Sequence, residues 1–374
     1  MIQVFRPSMD DTEIKAVTEA IRSGWIGNGP RTAEFEKRFA SLIKVPHAIA
    51  LNSATAALHL AMVLSEVKGH EVITTPMTFV SSNHAILYAG GIPVFADIEP
   101  DTLNIDPDKI EELITANTRA IMVVHYGGHA CMMDEIVEIA KKHGLLLIED
   151  AAHGSGGKYR DSMLGSIGDF GCFSFHAVKN IATGDGGMLT CSSDEYASRA
   201  KKLSWMGISR GTWDRVDGEE YSWQYDVEEL GFKYQMNDIA AAIGLAQLDK
   251  LERVNNTRRA LANRYSECLG DIDLIECPIE KEYVRSSWHN YVIKVRDSSK
   301  RNELIDHLKS DGISTGMHYI PNHLYKMYSS YVHNPLPVAE DVWKRIITLP
   351  LFPDLNIDQQ DTIIKSIHKF SDAI

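Results

Sequence analysis

The strongest candidate for a catalytic residue in this sequence is a lysine in an apolar loop. Lys179 lies in the segment SFHAVKNIATGDGG at 174–187, between an apolar strand pattern and a glycine-rich turn. Most lysines in loops are solvated surface charges. Burial of an amine away from water lowers its pKa, however, and makes it a usable nucleophile toward a carbonyl carbon. The apolar surroundings therefore predict a nucleophilic lysine, with a surface charge as the alternative.

A carboxylate follows another apolar strand pattern earlier in the sequence. Asp150 comes shortly after the run LLLI at 145–148 and belongs to the segment IEDAAH. As an alternative, such a residue is an ion-pair partner or a loop cap. A buried carboxylate that faces a pyridine nitrogen would instead keep that nitrogen protonated, so that the ring draws electrons from a bound substrate. This second interpretation gives Asp150 a role beside a heteroaromatic ring.

Two further segments and one hydroxyl suit a planar, phosphorylated ligand. The small residues of NSATAA at 52–57 predict the start of a helix, where unpaired N–H groups bind phosphate. Ser174 adds a hydroxyl for the same anion, and Phe79 offers an aromatic face for stacking. The alternatives are a simple N-cap for Ser53 or Thr55 and core packing for Phe79.

The elements that must position these residues alternate between short apolar strands and amphipathic helices, the pattern of a mostly parallel α/β sheet. The predicted strands are His47–Leu51, Val72–Thr75, Pro93–Ala96, Ala120–Val124, Leu145–Ile148, Gly171–Phe175 and Gly187–Cys191. The predicted helices between and before them include Asp11–Gly24, Thr32–Ile43, Ala54–Ser65 and Met133–His143. Ligands bind at the carboxyl ends of the strands in such sheets, so the segments above are expected to meet in one site.

The last third of the sequence mixes strands and helices differently. Its predicted elements are a helix over Asn237–Lys250, a separate charged helix over Leu251–Leu269, a strand at Tyr291–Val295, and helices at Lys300–Ser310, Ala339–Ile346 and Asp358–Phe370. This order of strands and helices indicates a second, smaller α+β domain. We therefore predict a large domain over 1–250 and a small domain over 251–374.

The composition argues against several classes of partner and site. The 374 residues include 38 Lys and Arg against 51 Asp and Glu, a net charge of −13 that disfavours binding to nucleic acid or to an anionic membrane surface. No apolar run approaches the roughly 18 residues of a membrane span. The five cysteines contain no CxxC pair, and the histidines show no metal-ligand spacing, so no metal site and a reducing, cytoplasmic location are expected.

Taken in order, the segments resemble the DegT/DnrJ/EryC1/StrS family of pyridoxal-phosphate aminotransferases, which act mostly on nucleotide-linked keto sugars. The resemblance runs nearly end to end and rests on SGWIGNGP (23–30), NSATAALHLA (52–61), PMTFVSSNHA (76–85), PVFADI (93–98), IEDAAHGSGG (148–157), GDFGCFSFHAVKNIATGDGGML (168–189), GFKYQMNDIAAAIGLAQL (231–248), MHYIPNHL (317–324) and LPLFP (349–353). It implies a fold-type I, aspartate aminotransferase-like large domain and a smaller α+β C-terminal domain.

The resemblance also implies a role for each site residue. Lys179 would carry pyridoxal 5'-phosphate as a Schiff base, and Asp150 would pair with the ring nitrogen. The other cofactor contacts would come from His153 near the 3-hydroxyl or ring, from Ala54, Thr55 and Ser174 at the phosphate, and from Phe79 on the ring face. The residues near the sugar nucleotide would be Trp25, Gly27, Asn28, His318 and Tyr319.

A homodimer with shared active sites follows from the same resemblance. In the family, a residue of the GFKYQMND segment, often an asparagine, reaches the phosphate in the partner subunit. This sequence has Lys233 there, and it has GDGG where GEGG is more usual. A lysine could make the contact as a point charge.

Lysine at position 179, where some family members that act as dehydratases have histidine, implies full transamination. The expected reaction moves the amino group of L-glutamate to carbon 3 or 4 of a nucleotide-linked keto sugar, such as a 4-keto-6-deoxy sugar, for a surface polysaccharide or a secondary metabolite. One alternative is an aminotransferase of a cyclitol or another ketone. The other is a non-catalytic family member that regulates.

Overall fold

The computed structural model of the protein describes residues 1–208 and 225–373. The helices in these ranges are α1 (Asp11–Arg22), α2 (Pro30–Ile43), α3 (Ala54–Leu64), α4 (Val80–Tyr88), α5 (Pro107–Glu112), α6 (Met133–His143), α7 (Asp194–Ser204), α8 (Asp238–Leu269), α9 (Lys300–Ser310), α10 (Pro337–Val342) and α11 (Ile357–Ser371). The strands are β1 (His47–Leu51), β2 (Glu71–Thr74), β3 (Ile92–Phe95), β4 (Thr118–Val124), β5 (Leu146–Asp150), β6 (Lys158–Tyr159), β7 (Ser162–Met163), β8 (Phe170–Ser174), β9 (Gly187–Cys191), β10 (Ile275–Glu276), β11 (Val284–Arg285), β12 (Tyr291–Val295) and β13 (Ile346–Leu349).

A seven-stranded sheet with the order β1-β9-β8-β5-β4-β2-β3 forms the centre of the molecule. The pairs from β8 through β5, β4 and β2 to β3 are parallel, whereas β9 is antiparallel to both of its neighbours. Strand β1 therefore runs in the same direction as β8, and β9 alone runs against the other six. The predicted α/β class with a mostly parallel sheet is confirmed.

The direction of these strands decides where their following loops lie. Because six strands point the same way, the segments after β1, β2, β4, β5 and β8 all emerge at one edge of the sheet. Strand β9 begins at that edge, where Gly187 is the register partner of Leu51. The polar segments that the sequence places after its strands are thus brought to a common edge, as expected for this sheet class.

Helices cover both faces of the sheet and bury its apolar strands. Helix α3 is buried along most of its length, which explains why it is apolar all round rather than on one stripe. On the other face an aromatic cluster joins α2 to β8, with the rings of Phe39 and Phe173 4.9 Å apart and those of Phe35 and Phe175 5.2 Å apart. Each fully buried phenylalanine contributes about 1.5–3 kcal/mol, so this cluster anchors the strand that leads to Lys179.

The C-terminal part packs around a three-stranded sheet with the order β10-β12-β13. Helices α9 and α11 and the second half of α8 enclose its core, which contains Tyr265, Tyr291 and Ile347. The N-terminal strand-like segment joins this part, because Ile2 exchanges backbone hydrogen bonds with Gly312 and Ser314.

Three predicted helices differ from the structure. The region expected to hold one helix up to Lys250 and another from Leu251 is the single 32-residue helix α8, because neither residue stops a helix. The helix expected over Ala339–Ile346 ends at Val342, and Ile346 instead opens β13, whose pairing with β12 overrides the local helical pattern.

Candidate active site

A cavity of about 660 Å³ opens at the carboxyl edge of the central sheet. Its walls come from the segments that follow β1, β2, β5 and β8, together with residues 317–320 of the C-terminal part. Nine of the predicted site residues line it: Ala54, Thr55, Phe79, Asp150, His153, Ser174, Lys179, His318 and Tyr319. The fold therefore gathers into one place residues that are far apart in the sequence.

Lys179 sits in the turn after β8, half-buried at the cavity wall. The turn is closed by a 2.8 Å hydrogen bond from its backbone N–H to the carbonyl of His176. Burial lowers the pKa of the Lys179 amine to about 8, the Asp150 carboxylate opposes this shift, and the Arg258 guanidinium adds to it. The side chain is therefore no ordinary solvated surface charge, and a substantial fraction of its amine is neutral near pH 7–8.

Asp150 ends strand β5 and is only 3% exposed. Its Oδ2 accepts a 2.7 Å hydrogen bond from the hydroxyl of Ser82, and its Oδ1 accepts a 3.0 Å hydrogen bond from the N–H of Ala152. Burial raises the pKa of Asp150, while the Ser82 hydrogen bond and the charge of Lys179 act in the opposite direction. The carboxylate is thus held in one orientation at the floor of the cavity.

The N-terminus of α3 forms a second wall that suits an anion. Ser53 is the N-cap, because its hydroxyl accepts a 3.1 Å hydrogen bond from the N–H of Ala56, so the hydroxyl of Thr55 is not the capping group. A Cβ atom on Gly187 would lie 2.4 Å from the carbonyl carbon of Ser53, and only glycine lets β9 pass this close. The buried hydroxyl of Ser174 faces the same cavity.

His153 and Tyr319 form a hydrogen-bonded pair in the cavity wall. The N–H of Gly127 donates to His153 Nδ1 at 3.2 Å, so the proton of the neutral ring lies on Nε2, which is 3.2 Å from the hydroxyl oxygen of Tyr319. Burial lowers the pKa of His153 well below its usual range, and the charge of Lys179 adds to this effect. With its oxygen accepting from His153, the hydroxyl of Tyr319 keeps its own proton for a donor contact with a ligand.

Phe79 stands at the mouth of the cavity. It is 59% exposed, so the alternative of a core residue is wrong. Its ring centroid lies 6.2 Å from that of Tyr319. His318, the preceding residue in the same C-terminal segment, is fixed by a 2.8 Å contact between its Nδ1 and the hydroxyl of Thr348, and burial lowers its pKa to about 4.

The other predicted site residues lie elsewhere on the chain. The loop with Trp25, Gly27 and Asn28 packs against the start of α8, where the Asn28 amide donates to the carbonyl of Met236 at 3.2 Å. Lys233 is exposed, with its Nζ 3.8 Å from the centroid of the Trp205 ring. None of these four predicted residues lines the cavity of its own chain.

Several residues at the site carry no sequence signal. Ser82 orients Asp150, and His289 places its Nε2 3.4 Å from the Nζ of Lys179. His289 lies just before β12 in the segment SSWHN, far from Lys179 in the sequence. Ser82 belongs to the segment PMTFVSSNHA, but nothing in that segment singles it out, and nothing local points to His289.

Among residues 1–208 and 225–373, no helix is both long enough and apolar enough to cross a membrane. The same residues hold no group of three or more His, Cys, Asp or Glu side chains arranged to bind a metal ion. All five cysteines are free thiols, of which Cys131, Cys172 and Cys191 are buried.

Comparisons with known proteins agree with this geometry. The model of the DegT/DnrJ/EryC1/StrS aminotransferase family matches residues 7–368. The spore coat polysaccharide biosynthesis protein SpsC of Bacillus subtilis is 42% identical over 369 residues, which cover 96% of this chain and 95% of SpsC.

Solved structures of sugar aminotransferases share the whole fold. The PMP-form of the putative sugar aminotransferase Spr1654 from Streptococcus pneumoniae is 32% identical, with a TM-score of 0.94 and full coverage of both chains. Spr1654 has also been solved in a PLP-form. Helicobacter pylori PseC, an aminotransferase involved in the biosynthesis of pseudoaminic acid, is 29% identical, with a TM-score of 0.93 over 100% of both chains.

The family predicted from the sequence is thereby confirmed, and with it the class of enzyme and the cofactor that the family uses. The match spans nearly the entire chain, including every segment that lines the cavity. The chain belongs to the DegT/DnrJ/EryC1/StrS family of sugar aminotransferases, which depend on pyridoxal phosphate.

Proposed function

We propose that this enzyme transfers the amino group of L-glutamate to a nucleotide-linked keto sugar, with pyridoxal 5'-phosphate held by Lys179. One observation carries the proposal: the Lys179 amine and the Asp150 carboxylate face a single cavity that is also open to the N-terminus of α3. A nucleophile, an acidic partner for a ring nitrogen and an anion site are the three groups that this cofactor requires.

The residues of the cavity fit the cofactor group by group. The phosphate would bind at the first N–H groups of α3, near Ala54 and Thr55, and at the hydroxyl of Ser174. Asp150 is buried, oriented by Ser82, and suited to a protonated ring nitrogen. Phe79 would supply the stacking face. When bound, pyridoxal phosphate supplies an electrophilic aldehyde and a ring that withdraws electrons from the carbon next to the nitrogen.

The side chains of this chain would do the remaining work. Lys179, with its pKa lowered to about 8, offers a neutral amine that attacks a carbonyl carbon and later carries a proton. Burial raises the pKa of Asp150, so a positive partner such as a protonated ring nitrogen would favour its anionic form, in the same direction as the Ser82 hydrogen bond. Tyr319 would donate its hydroxyl proton to an oxygen of the ligand, since His153 occupies the acceptor side of that hydroxyl.

The acceptor substrate is inferred from the relatives and from the size of the cavity. SpsC is named for spore coat polysaccharide biosynthesis, and PseC for the biosynthesis of pseudoaminic acid. The volume of about 660 Å³ lies within the range of roughly 300–1,000 Å³ that is typical of small-molecule sites. We therefore infer a 3-keto or 4-keto-6-deoxy nucleotide sugar, with the amino-sugar product destined for a surface polysaccharide.

The purified protein, loaded with pyridoxal phosphate, tests the proposal directly. Glutamate should convert the absorbance band of the bound cofactor, and a nucleotide-linked keto sugar should restore it while an amino sugar forms. A panel of acceptors should include cyclitol ketones such as an inosose. Turnover of the cyclitol alone would replace the proposed acceptor, and a protein that never takes up pyridoxal phosphate would overturn the proposal.

Variants at Lys179 give the sharpest prediction about turnover. Lys179→Arg keeps the positive charge but not the nucleophilic amine, and Lys179→Ala removes both. Both variants should lose at least roughly a hundredfold in kcat, because a positioned proton carrier contributes about 10²–10⁴-fold. Lys37→Ala, at an exposed position on α2, is the matched control and should retain wild-type kcat. Wild-type turnover by Lys179→Ala would contradict the assignment.

A further inference from the structure

A histidine from the C-terminal part of the chain contacts Lys179, the proposed nucleophile. His289 is 2% exposed, and its Nε2 lies 3.4 Å from the Nζ of Lys179. Both the backbone and the ring of His289 are held in place. The backbone N–H donates to the carbonyl of Gly127 at 2.9 Å, and the ring stacks on Phe5 with an interplanar angle of 2° and a centroid distance of 5.6 Å.

A chain of side-chain amides approaches the other nitrogen of this ring. The amide nitrogen of Asn255 donates to the carbonyl of Ser155 at 2.9 Å, so the Asn255 oxygen faces the other way and accepts from Asn180 at 2.8 Å. The amide nitrogen of Asn180 also donates to the carbonyl of Ser287 at 2.8 Å. Both N–H groups of Asn180 are thus committed, and its oxygen lies 3.2 Å from Nδ1 of His289.

The orientation of Asn180 determines which nitrogen of His289 carries the proton. An amide oxygen only accepts, so Nδ1 of His289 must be the donor. Burial of the ring, aided by the nearby charge of Lys179, holds the pKa of His289 well below its usual range, so the ring is neutral. A neutral imidazole with its proton on Nδ1 presents a bare lone pair on Nε2, and this lone pair faces Lys179.

We propose that His289 is a positioning residue, whose Nε2 lone pair accepts a hydrogen bond from the Lys179 amine and aims that amine into the cavity. The proposal rests on the proposed function of Lys179 as the nucleophile. The hydrogen bond forms whether the amine is charged or neutral, since either state has an N–H to donate. In the neutral state it leaves the lone pair of Nζ free to attack a carbonyl carbon.

The neighbouring histidine shows that this arrangement is specific. The rings of His153 and His289 have centroids 4.3 Å apart, yet His153 accepts at Nδ1 and His289 donates there. The two buried rings therefore hold opposite tautomers, and each presents a different atom to its partner: the Nε2 hydrogen of His153 faces Tyr319, and the bare Nε2 of His289 faces Lys179.

The tautomers can be measured on the cofactor-free wild-type protein. Two-bond ¹H–¹⁵N correlation spectra of histidine-labelled protein distinguish a proton on Nδ1 from one on Nε2, and loss of signals in His289→Gln assigns the ring of interest. We expect a neutral Nδ1–H form for His289 and a neutral Nε2–H form for His153. A protonated ring at neutral pH, or an Nε2–H form of His289, would overturn the proposal.

Chemical reactivity of Lys179 supplies an independent readout that needs no turnover. Acylation of Lys179 in the cofactor-free protein is quantified by mass spectrometry relative to Lys37, at a pH well above the pKa of Lys179, so that the amine is neutral in every variant. In His289→Leu the rate should fall about fivefold, as for the loss of one ordinary hydrogen bond. His289→Gln, whose amide oxygen can accept, should recover most of the rate.

The outcomes separate this proposal from the function on which it rests. An unchanged rate in a folded His289→Leu protein would overturn the positioning role even if the enzyme transfers amino groups. A protein that lacks transferase activity but shows the predicted tautomer and the fivefold effect would instead remove only the proposed function. If His289→Leu does not fold, the tautomer in the wild-type protein decides.

Discussion

At the scale of single residues, burial and charge act against each other at Lys179 and Asp150. Burial disfavours the ionised form of both side chains, lowering the pKa of the amine and raising that of the carboxyl. The charge of each side chain favours the ionised form of the other and so opposes part of the pKa shift that burial causes. The same pair therefore supplies an amine that is partly neutral near pH 8 and a carboxylate that can face a ring nitrogen. Shifted pKa values of this kind are typical of catalytic sites.

The pH dependence of Lys179 reactivity tests this balance. Acylation of Lys179 in the cofactor-free protein should rise with pH through about 8 and then level off, because only the neutral amine reacts. Asp150→Asn removes the charge that raises the pKa of Lys179, so the inflection should move to lower pH. Asp169→Asn, an exposed carboxylate directly before β8, is the control and should leave the profile unchanged. An inflection near the ordinary lysine value of about 10.4 would contradict a buried amine.

Lys179 and Asp150 could be predicted because each has a local signal, a reactive side chain at or shortly after the end of a buried strand. His289 could not be predicted, because its contact with Lys179 depends on Asn180 and Asn255, which come from two other segments. A pattern within one segment contains no information on an amide chain of this kind. The tautomer of a histidine is therefore visible only when its partners have been placed in space.

At the scale of elements, the approach of β9 to α3 is the contact on which the proposed phosphate site depends. Gly187 lies against the backbone of Ser53 and Ala54, where a Cβ atom would come within 2.4 Å and 2.5 Å. The antiparallel pairing of β9 with β1 brings this glycine into register with Leu51, the last residue before the helix-starting turn. The antiparallel strand of an otherwise parallel sheet thus sets the position of the helix N-terminus.

Replacement of Gly187 tests whether this approach controls cofactor affinity. Gly187→Ala should destabilise the fold by about 1–3 kcal/mol, as overpacking does, and should weaken pyridoxal phosphate binding by roughly tenfold, the value of one hydrogen bond to a charged group. Gly144→Ala is the control. It faces open space with a φ of +64°, so it should cost about 1–2 kcal/mol of stability without any loss of affinity. Thermal unfolding and cofactor titration measure the two effects, and equal affinities in the two variants would exclude the predicted role of Gly187.

Most elements of the large sheet could be predicted, because buried parallel strands form continuous apolar runs and a cap such as Ser53 starts a helix. The wrong predictions concern the ends of helices. In one case a change of composition was interpreted as the end of a helix. Lys250 and Leu251 begin a more charged stretch, yet α8 continues through them. Ile346 fits a helical pattern but pairs with Lys294 of β12, since strand pairing depends on a partner that is distant in the sequence.

At the scale of the whole molecule, some of the predicted ligand-binding residues do not line the cavity of their own chain. Trp25, Gly27, Asn28 and Lys233 lie outside that cavity, although all four are predicted to contact ligands. Lys233 is exposed and rests on the ring of Trp205. We propose that two copies share their sites, as the family resemblance implies, since a two-fold symmetric dimer would present the same surface of each chain to the cavity of the other.

Complementation between two variants that are each expected to impair the site decides whether Lys233 acts across such an interface. One chain carries Lys179→Ala and the other Lys233→Ala, and the two are co-expressed in equal amounts. If Lys233 serves the partner's site, the hybrid dimer has one intact site, because the Lys233→Ala chain retains Lys179 and receives Lys233 from its partner. About half of the dimers are then hybrids with one working site of two, and about a quarter of the wild-type activity should return.

The control pair combines Lys179→Ala with Asp150→Asn. Both residues face the same cavity of one chain, so no hybrid contains an intact site and no activity should return. Absence of recovery in the Lys233 pair as well would show that Lys233 does not act across the interface. Full activity of the Lys233→Ala homodimer would show that another side chain, or backbone N–H groups alone, hold the phosphate. Recovery confined to the Lys233 pair would establish that each active site is built by two chains.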